Sequence, residues 1–333
     1  MATIYEHIQQ NKRRTVLLVL LFPVLFALLT WGVFALVFFT IGGDPYATVS
    51  EFQATDHLTR LNELMLWVLP ICWGLAMVWI LVSYYTGDQL LLNSVNAIPV
   101  TAYDQPEIYR LVENLCISRG LPTPKIYILN DNALNAFATG RDPEHASIAL
   151  TKGIVTRLER VELEGVIAHE LAHVENRDIR LMLITVAGIS FFTFMGEICF
   201  RLALSSSRSR RSDRSSGSAG LLFLVLGFVC MIYGYVIAPL LRLAVSRARE
   251  YQADATAALT TRNPRALASA LKKISVCPRV EAIEEHASMA GMCIESPVGP
   301  LGMGLFGAMS GLTSTHPPVE KRIQALLEMD RGI

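Results

Sequence analysis

Four long apolar runs divide the chain and separate its polar segments. Residues 15–41 contain no charged side chain, and residues 64–85 form a second run of similar character. Two further runs follow at residues 181–204 and 221–241. An α-helix needs about 20 mainly apolar residues to cross the hydrocarbon core of a bilayer. Each run therefore predicts a membrane-spanning helix.

The segment after the second run alternates helical and strand-like patterns. Residues 106–120 carry apolar positions at helical spacing and end at Gly120, a common residue at helix ends. Three short runs rich in β-forming residues follow, and turn-forming residues separate them, which predicts strands at 125–130, 135–140 and 146–154. Residues 157–176 then predict a helix with an apolar face of Val161, Ile167, Leu171 and Val174.

The closing part of the chain is also polar enough to be soluble. Residues 244–260 have a helical pattern, and a second amphipathic helix is expected after Asn263, with Pro264 in its first turn. A short final helix is expected after Pro317 and Pro318. Residues 286–312 are rich in Met and Gly and predict no regular element.

Composition supports a membrane protein with a soluble part. Apolar residues make up 52% of the chain and charged residues 17%, and the mean hydropathy is positive. The formal net charge is zero, and basic residues do not alternate with aromatic ones, so nucleic acid is not an expected partner. The six cysteines include no C-x-x-C pair, which argues against a disulfide framework or a cysteine zinc site.

The distribution of basic residues predicts the orientation in the membrane. Lys12, Arg13 and Arg14 precede the first run, and such clusters stay in the cytoplasm. Everything after residue 85 is then cytoplasmic again. The Ser-, Gly- and Arg-rich linker at 205–220 joins the last two runs, which either cross fully or form a shallow hairpin. In both cases the segments before and after this hairpin face the same compartment.

The motif that carries chemistry is His169-Glu170-Leu171-Ala172-His173. Positions i and i+4 share one face of a helix, so His169 and His173 can bind one metal ion. Glu170 lies beside that face, where it suits a general base acting on a water at the metal. A catalytic zinc site takes three protein ligands, so a third ligand must come from elsewhere in the chain.

Three residues after the motif are candidates for the third ligand. His286 stands in a loop-like acidic stretch, and Glu197 lies inside an apolar run. Glu250 is the preferred candidate, because it follows the hairpin directly and so faces the same side as the motif. Asp254 is one helical turn further on and can accept the outer ring N–H of a ligand histidine, with His169 the preferred partner. The competing interpretation is that Glu250 and Asp254 only pair with Arg247 and Arg249 on a charged helix.

Four motifs in this order, "NAFATG", "HELAHVENRD", "SRAREYQAD" and "THPPVEKRI", resemble those of the HtpX-type integral-membrane zinc endopeptidases. The CAAX prenyl proteases are more distant relatives. The resemblance implies an α+β zincin-like metallopeptidase domain, mostly helical with a small mixed sheet, on a multi-span α-helical membrane anchor. It also implies one Zn ion per chain, bound by His169, His173 and Glu250.

The resemblance implies further roles for single residues. Asn135 matches an asparagine of the substrate-binding edge strand, along which a peptide would pair by β-addition. His316 matches a histidine that stabilises the oxyanion, and Arg322 an arginine that supports the same site. Asn176 and Asp178 match motif positions with a structural role.

The predicted domain organisation follows from these assignments. Residues 1–85 form an anchor with two spans, residues 86–180 a catalytic part with the edge strand and the H-E-x-x-H helix, residues 181–241 the hydrophobic hairpin, and residues 242–333 a second catalytic part with the Glu-ligand helix.

The predicted function is a multi-pass zinc endopeptidase of the bacterial inner membrane with its site facing the cytoplasm. Its expected substrates are polypeptides, above all misfolded or damaged membrane proteins.

A prenyl-protein protease is the alternative within the enzyme class, although four spans are too few for the enclosed chamber of those relatives. An inactive interaction or zinc-handling protein is the alternative outside it, and Glu170 argues against that, because metal storage needs no base. The oligomeric state does not follow from the sequence.

Overall fold

A computed structural model describes most of the soluble part of the chain and some of the apolar runs. The described positions are 13, 24, 28, 31–32, 51–208, 223–228, 230–231, 238–277, 280, 293–294 and 317–330. Most of the predicted span 15–41 and most of the linker 205–220 lie outside them.

Eight α-helices, one short 3-10 helix (Pro143–His145) and four strands have defined bounds within the described residues. The helices are α1 (Glu51–Ser94), α2 (Pro106–Arg119), α3 (Lys152–Arg157), α4 (Arg160–Glu175), α5 (Asp178–Arg208), α6 (Ala238–Thr261), α7 (Pro264–Ile274) and α8 (Val319–Asp330). The strands are β1 (Ile98–Val100), β2 (Lys125–Leu129), β3 (Ala136–Gly140) and β4 (Ala146–Thr151). The prediction of a mostly helical fold with a small sheet is confirmed.

The sheet is mixed and has the strand order β1-β2-β4-β3. β2 and β4 run parallel, with Ile126 opposite Ile148, whereas β3 runs antiparallel to β4, with Ala138 opposite Ile148. All residues of β3 and β4 are buried. β3 is therefore an edge strand of this sheet that is nevertheless covered by other parts of the protein.

One helix ends and another begins where the sequence predicts. α2 ends where Gly120 adopts the left-handed conformation, with φ of 66°, which glycine reaches without a steric penalty. α7 begins after Asn263, whose side chain accepts a hydrogen bond from the N–H of Ala266 at 3.2 Å, and Pro264 occupies its first turn. Both predictions are confirmed.

Two predicted boundaries are wrong, each for a local reason. The strand expected at 146–154 ends at Thr151, because its hydroxyl accepts the N–H of Ile154 and starts α3. The helix expected from residue 157 begins at Arg160 instead, after a reciprocal capping pair between Glu159 and Glu162. Val161 then lies in the first turn of α4 and is 47% exposed, whereas Ile167, Leu171 and Val174 are buried as expected.

α4 is the central helix of the main core and packs closely on α7. At Gly165 an added Cβ would lie 3.2 Å from the backbone of Leu267, so glycine permits this close helix approach. The carboxylate of Glu162 accepts hydrogen bonds from Ser269 at 2.6 Å and Lys273 at 2.7 Å. Apolar contact and a partly buried ion pair therefore hold α7 against the helix that carries the H-E-x-x-H motif.

The chain divides into two compact units. One consists of Met1–Thr15, Ser83–Val186 and Pro239–Ile333, and the other of Val16–Val82 and Ala187–Ala238. In the second unit the side chain of Trp79 donates a hydrogen bond to the carbonyl of Ala187 at 3.0 Å, and Gly196 and Gly227 bring their backbones into close contact. The predicted boundaries after residues 85, 180 and 241 stay predictions.

One of the described helices, Asp178–Ser205, is long and apolar enough to cross a membrane by its length and composition. It includes the predicted span 181–204. The predicted span 64–85 lies inside α1, where the apolar side chains of Leu66, Trp67, Ile71 and Leu75 are all more than 60% exposed. The multi-span anchor as a whole stays a prediction.

The packing of α7 on α4 yields a stability test. Leu271 is 1% exposed, and we expect Leu271→Ala to lower the free energy of unfolding by about 2–5 kcal/mol, because it leaves a cavity between the helices. Leu259→Ala is the matched control, since Leu259 is 62% exposed. Thermal unfolding of the two purified variants in detergent compares them, and equal midpoints would contradict the assigned core.

Candidate metal centre

The H-E-x-x-H motif lies in the middle of α4, where the helix is buried on nearly every side. His169, Glu170 and His173 are 0%, 2% and 5% exposed. The helical repeat brings the two imidazole rings together, with centroids 4.8 Å apart and planes at 89°. The motif is therefore part of a buried polar site within an apolar core, which needs internal partners for each polar atom.

Glu250 of α6 joins the two histidines from a distant part of the sequence. Its carboxylate oxygens lie 3.7 Å from Nε2 of His169 and 3.7 Å from Nε2 of His173. One ligand atom from each of the three residues falls within 4.8 Å of the others, so the group could hold a metal ion. Glu197, the candidate inside the apolar run, instead pairs with Arg201, and His286 lies outside the described residues.

The hydrogen-bonding pattern of the two imidazoles fits a cation between them. Nδ1 of His169 lies 3.0 Å from Asp254 and Nδ1 of His173 lies 2.9 Å from Asp178. In a neutral ring, each Nδ1 then carries the hydrogen and each Nε2 presents a lone pair. The two Nε2 atoms are 3.2 Å apart, so two lone pairs face each other at the carboxylate of Glu250.

A bound zinc ion would satisfy this geometry. With metal–ligand bonds of about 2.0–2.1 Å in a tetrahedron, neighbouring ligand atoms are about 3.3 Å apart. The separations here are 3.2 and 3.7 Å. Although burial lowers the pKa of His173, Asp178 and Glu250 outweigh it and raise the pKa to about 9. The carboxylates beside His173 thus favour a positive charge there, whereas burial lowers the pKa of His169.

Asp254 connects His169 to a buried arginine. Arg322 of α8 is fully buried and donates to both carboxylate oxygens of Asp254, at 2.8 and 2.7 Å. Burial alone would raise the pKa of Asp254, but Arg322 holds it at about 2. The predicted pairing of Asp254 with His169 is present. Arg322 is not on the protein surface, and its guanidinium also lies 3.4 Å from the carboxylate of Glu250 and 3.4 Å from Nε2 of His169.

Glu170 is positioned by the edge strand. Its carboxylate accepts a hydrogen bond from the backbone N–H of Ala138 in β3, and burial raises its pKa to about 7. A carboxylate with such a pKa can both accept and release a proton near neutral pH. The geometry therefore suits acid–base chemistry beside the metal group.

The free side of β3 is partly covered by another segment of the chain. Asn135 lies one residue before the strand and is 1% exposed. The N–H of Ile294 donates to the carbonyl of Ala136 at 2.9 Å, and Cys293 lies opposite Phe137 in an antiparallel bridge. Arg322 also donates to the carbonyl of Ile294 at 3.0 Å. A peptide that paired with Ala136 would have to displace Ile294.

Three predicted residues remain: Asn176 and Asp178 near the end of α4, and His316. Asn176 ends α4 and is 4% exposed, with its N–H donating to the carbonyl of Ala172 at 3.0 Å. His316 lies outside the described residues. Sequence reasoning missed the contact of Asp178 with His173 and the ion pair of Asp178 with Arg249, 2.9 Å long. The only feature of the sequence that pointed to these two contacts of Asp178 was the position of Arg249 directly before Glu250.

The sequence pattern of peptidase family M48 matches residues 102–330, which include every residue of the metal group. The chain belongs to peptidase family M48. The resemblance derived from the four motifs is thereby confirmed, since M48 relatives named "Protease HtpX homolog" match nearly the whole chain. That of Bacteroides fragilis is 40% identical over 321 residues, covering 96% of both chains. That of Dictyoglomus turgidum is 35% identical over 331 residues, covering 98% of this chain and 95% of the relative.

Among solved structures, the M48 chain resembles Ste24p of S. mikatae with a TM-score of 0.47 and 20% identity. The likeness covers 79% of this chain and 58% of Ste24p.

The metal group yields a direct binding test. We expect His173→Ala to lower the content of bound divalent metal more than about tenfold, because two ligands hold such an ion far less tightly than three. His145→Ala is the matched control, since the side chain of His145 is 48% exposed and pairs with Asp142. Elemental analysis of the purified proteins measures the effect, and wild-type metal content in the His173 variant would rule out this site.

Proposed function

We propose that this M48 protein is a membrane-bound zinc endopeptidase. The observation that carries the proposal is the convergence of His169, His173 and Glu250 beside the carboxylate of Glu170. Two nitrogen ligands and one carboxylate oxygen are typical of catalytic zinc, and three protein ligands leave one position open for water and substrate. Metal storage would not require an acid–base group at that open side.

Zinc, when bound, supplies a Lewis acid at the ligand group. The other steps belong to the protein. Glu170, held by the N–H of Ala138, accepts the proton of the attacking water and delivers it to the leaving amine. Asp254 and Arg322 hold His169 in the tautomer that directs Nε2 towards the metal.

The substrate is proposed to bind as an additional strand along β3, in place of Cys293 and Ile294, which contact Phe137 and Ala136 there. Peptidases that cut unfolded chains gain affinity from main-chain hydrogen bonds of this kind, and such bonds require no particular side chain. Asn135 immediately before β3 is the proposed side-chain contact to the peptide. His316 is the proposed oxyanion donor, on the strength of the family resemblance, and Arg322 supports the same site from behind Asp254.

The decisive test is Glu170→Gln in the full-length protein. The amide keeps the shape of the side chain but cannot accept the proton, so we expect cleavage of unfolded casein to fall by about 10²–10⁴-fold. Zinc content should stay at one ion per chain, because Glu170 is not a proposed ligand. The control is Glu164→Gln on the same helix, which should keep full activity. Undiminished proteolysis by the Glu170 variant would refute this mechanism.

A prenylated peptide assayed beside casein separates the proposed activity from that of a prenyl-protein protease. We expect casein to be cut and the prenylated peptide to show no preference over its unmodified form.

The proposed location is the bacterial inner membrane, with the catalytic site on the cytoplasmic face. The apolar helix Asp178–Ser205 and the exposed apolar side chains of α1 support insertion in a bilayer. The basic cluster before residue 15 supports the orientation. A protease so placed would meet misfolded or damaged membrane proteins, which we propose as its substrates.

Reporter fusions test the orientation. Green fluorescent protein fused to the carboxy terminus of the full chain, or after Tyr85, should fluoresce, because it folds in the cytoplasm. Alkaline phosphatase fused after Tyr46, between the first two apolar runs, should be active, because this enzyme matures only outside. The opposite pattern would place the site on the outer face and would exclude cytoplasmic substrates.

A further inference from the structure

Each imidazole of the metal group has its own carboxylate and its own arginine behind that carboxylate. His169 is followed by Asp254 and Arg322. His173 is followed by Asp178 at 2.9 Å, and Asp178 by Arg249 at 2.9 Å. The first chain of contacts lies within the expected ligand arrangement, whereas for the second the family resemblance implies only a structural role of Asp178.

The contact of Asp178 with His173 depends on a break in the helix. On a continuous helix, residues five positions apart point in directions about 140° apart and do not meet. Here α4 ends at Glu175, and Arg177 adopts a left-handed backbone with φ of 58°. That conformation costs about 1–2 kcal/mol for a residue other than glycine. The turn redirects the chain so that Asp178, the first residue of α5, returns to Nδ1 of His173.

Arg249 supplies the charge that a buried carboxylate needs. Asp178 is 1% exposed, and an ionised carboxylate at such depth is stable only with a paired charge or hydrogen bonds. Arg249 Nη1 donates to one oxygen of Asp178, while the other oxygen faces His173. Because Arg249 directly precedes Glu250, the same turn of α6 carries a metal ligand and the partner of this carboxylate.

We propose that Asp178 and Arg249 are positioning residues for metal binding at His173. Asp178 fixes the tautomer and ring orientation of His173, and Arg249 holds the Asp178 carboxylate in place. The two residues are 71 positions apart and stand on either side of the predicted hairpin 181–241. Their ion pair therefore joins the segment before the hairpin to the segment after it, beside the ligand His173 and directly before the ligand Glu250. This inference rests on the proposed function, since it assumes a resident zinc ion.

The experiment measures zinc affinity in the full-length protein, purified in detergent, by competition with a chromophoric chelator. Asp178→Asn and Arg249→Met are each expected to weaken zinc binding by about 10–100-fold, the usual effect of removing a partner of a ligand histidine. The double variant should be no weaker than Asp178→Asn alone, because both changes interrupt the same contact chain. Arg249→Lys keeps the charge and should bind zinc more tightly than Arg249→Met.

Arg110→Met on the exposed side of α2 is the matched control and should bind zinc like the wild type. Thermal unfolding of the metal-free proteins separates positioning from folding. If the variants unfold earlier but bind zinc with wild-type affinity, Asp178 and Arg249 are structural only and the inference is overturned. Arg249→Met keeps this test open if Asp178→Asn does not fold. Failure of the wild type itself to bind zinc would refute the proposed function instead.

Discussion

The approach of two imidazole Nε2 atoms to 3.2 Å is the constraint around which the centre of this protein is organised. Two lone pairs at that distance, beside a carboxylate, repel each other unless a metal ion or a proton lies between them. The surrounding groups are arranged to keep the rings in this orientation. Asp254 and Asp178 bind the opposite ring nitrogens, and Arg322 and Arg249 neutralise these two carboxylates. Each element that carries one of these residues is thereby fixed with respect to α4.

The surrounding helices and the sheet stabilise these charged groups inside an apolar core. α4 carries the motif through the centre of the apolar core, where Ile167 and Val174 are fully buried. α7 closes one side of α4 through Leu267, and β3 provides the N–H that orients Glu170. Among the described residues, the ligands and their carboxylate partners lie on helices, and the N–H that faces Glu170 lies on a strand, which favours a rigid ligand geometry.

Local patterns predicted most of the regular elements, and predictions failed where a local polar contact overrode the pattern. Apolar spacing identified α2, α4 and α7, and glycine and asparagine marked two of their ends. The extension of β4 beyond Thr151 was wrong because a hydroxyl cap cannot be distinguished from a strand residue by composition. Val161 was assigned to the apolar face because it has the right spacing, yet it lies in the first, solvent-facing turn of α4.

The sequence by itself determined the family and the H-E-x-x-H motif of His169, Glu170 and His173, because a motif on one helix is a local property. It also indicated Glu250 and Asp254, since four residues separate neighbours on one helical face. Only the tertiary structure decided that Arg322 is buried behind Asp254, that Ile294 lies against the edge strand, and that Asp178 and Arg249 meet beside His173. These contacts join residues far apart in the chain or across a turn with unusual backbone angles. Neither hydropathy nor spacing carries information about such contacts, because they depend on how the helices pack.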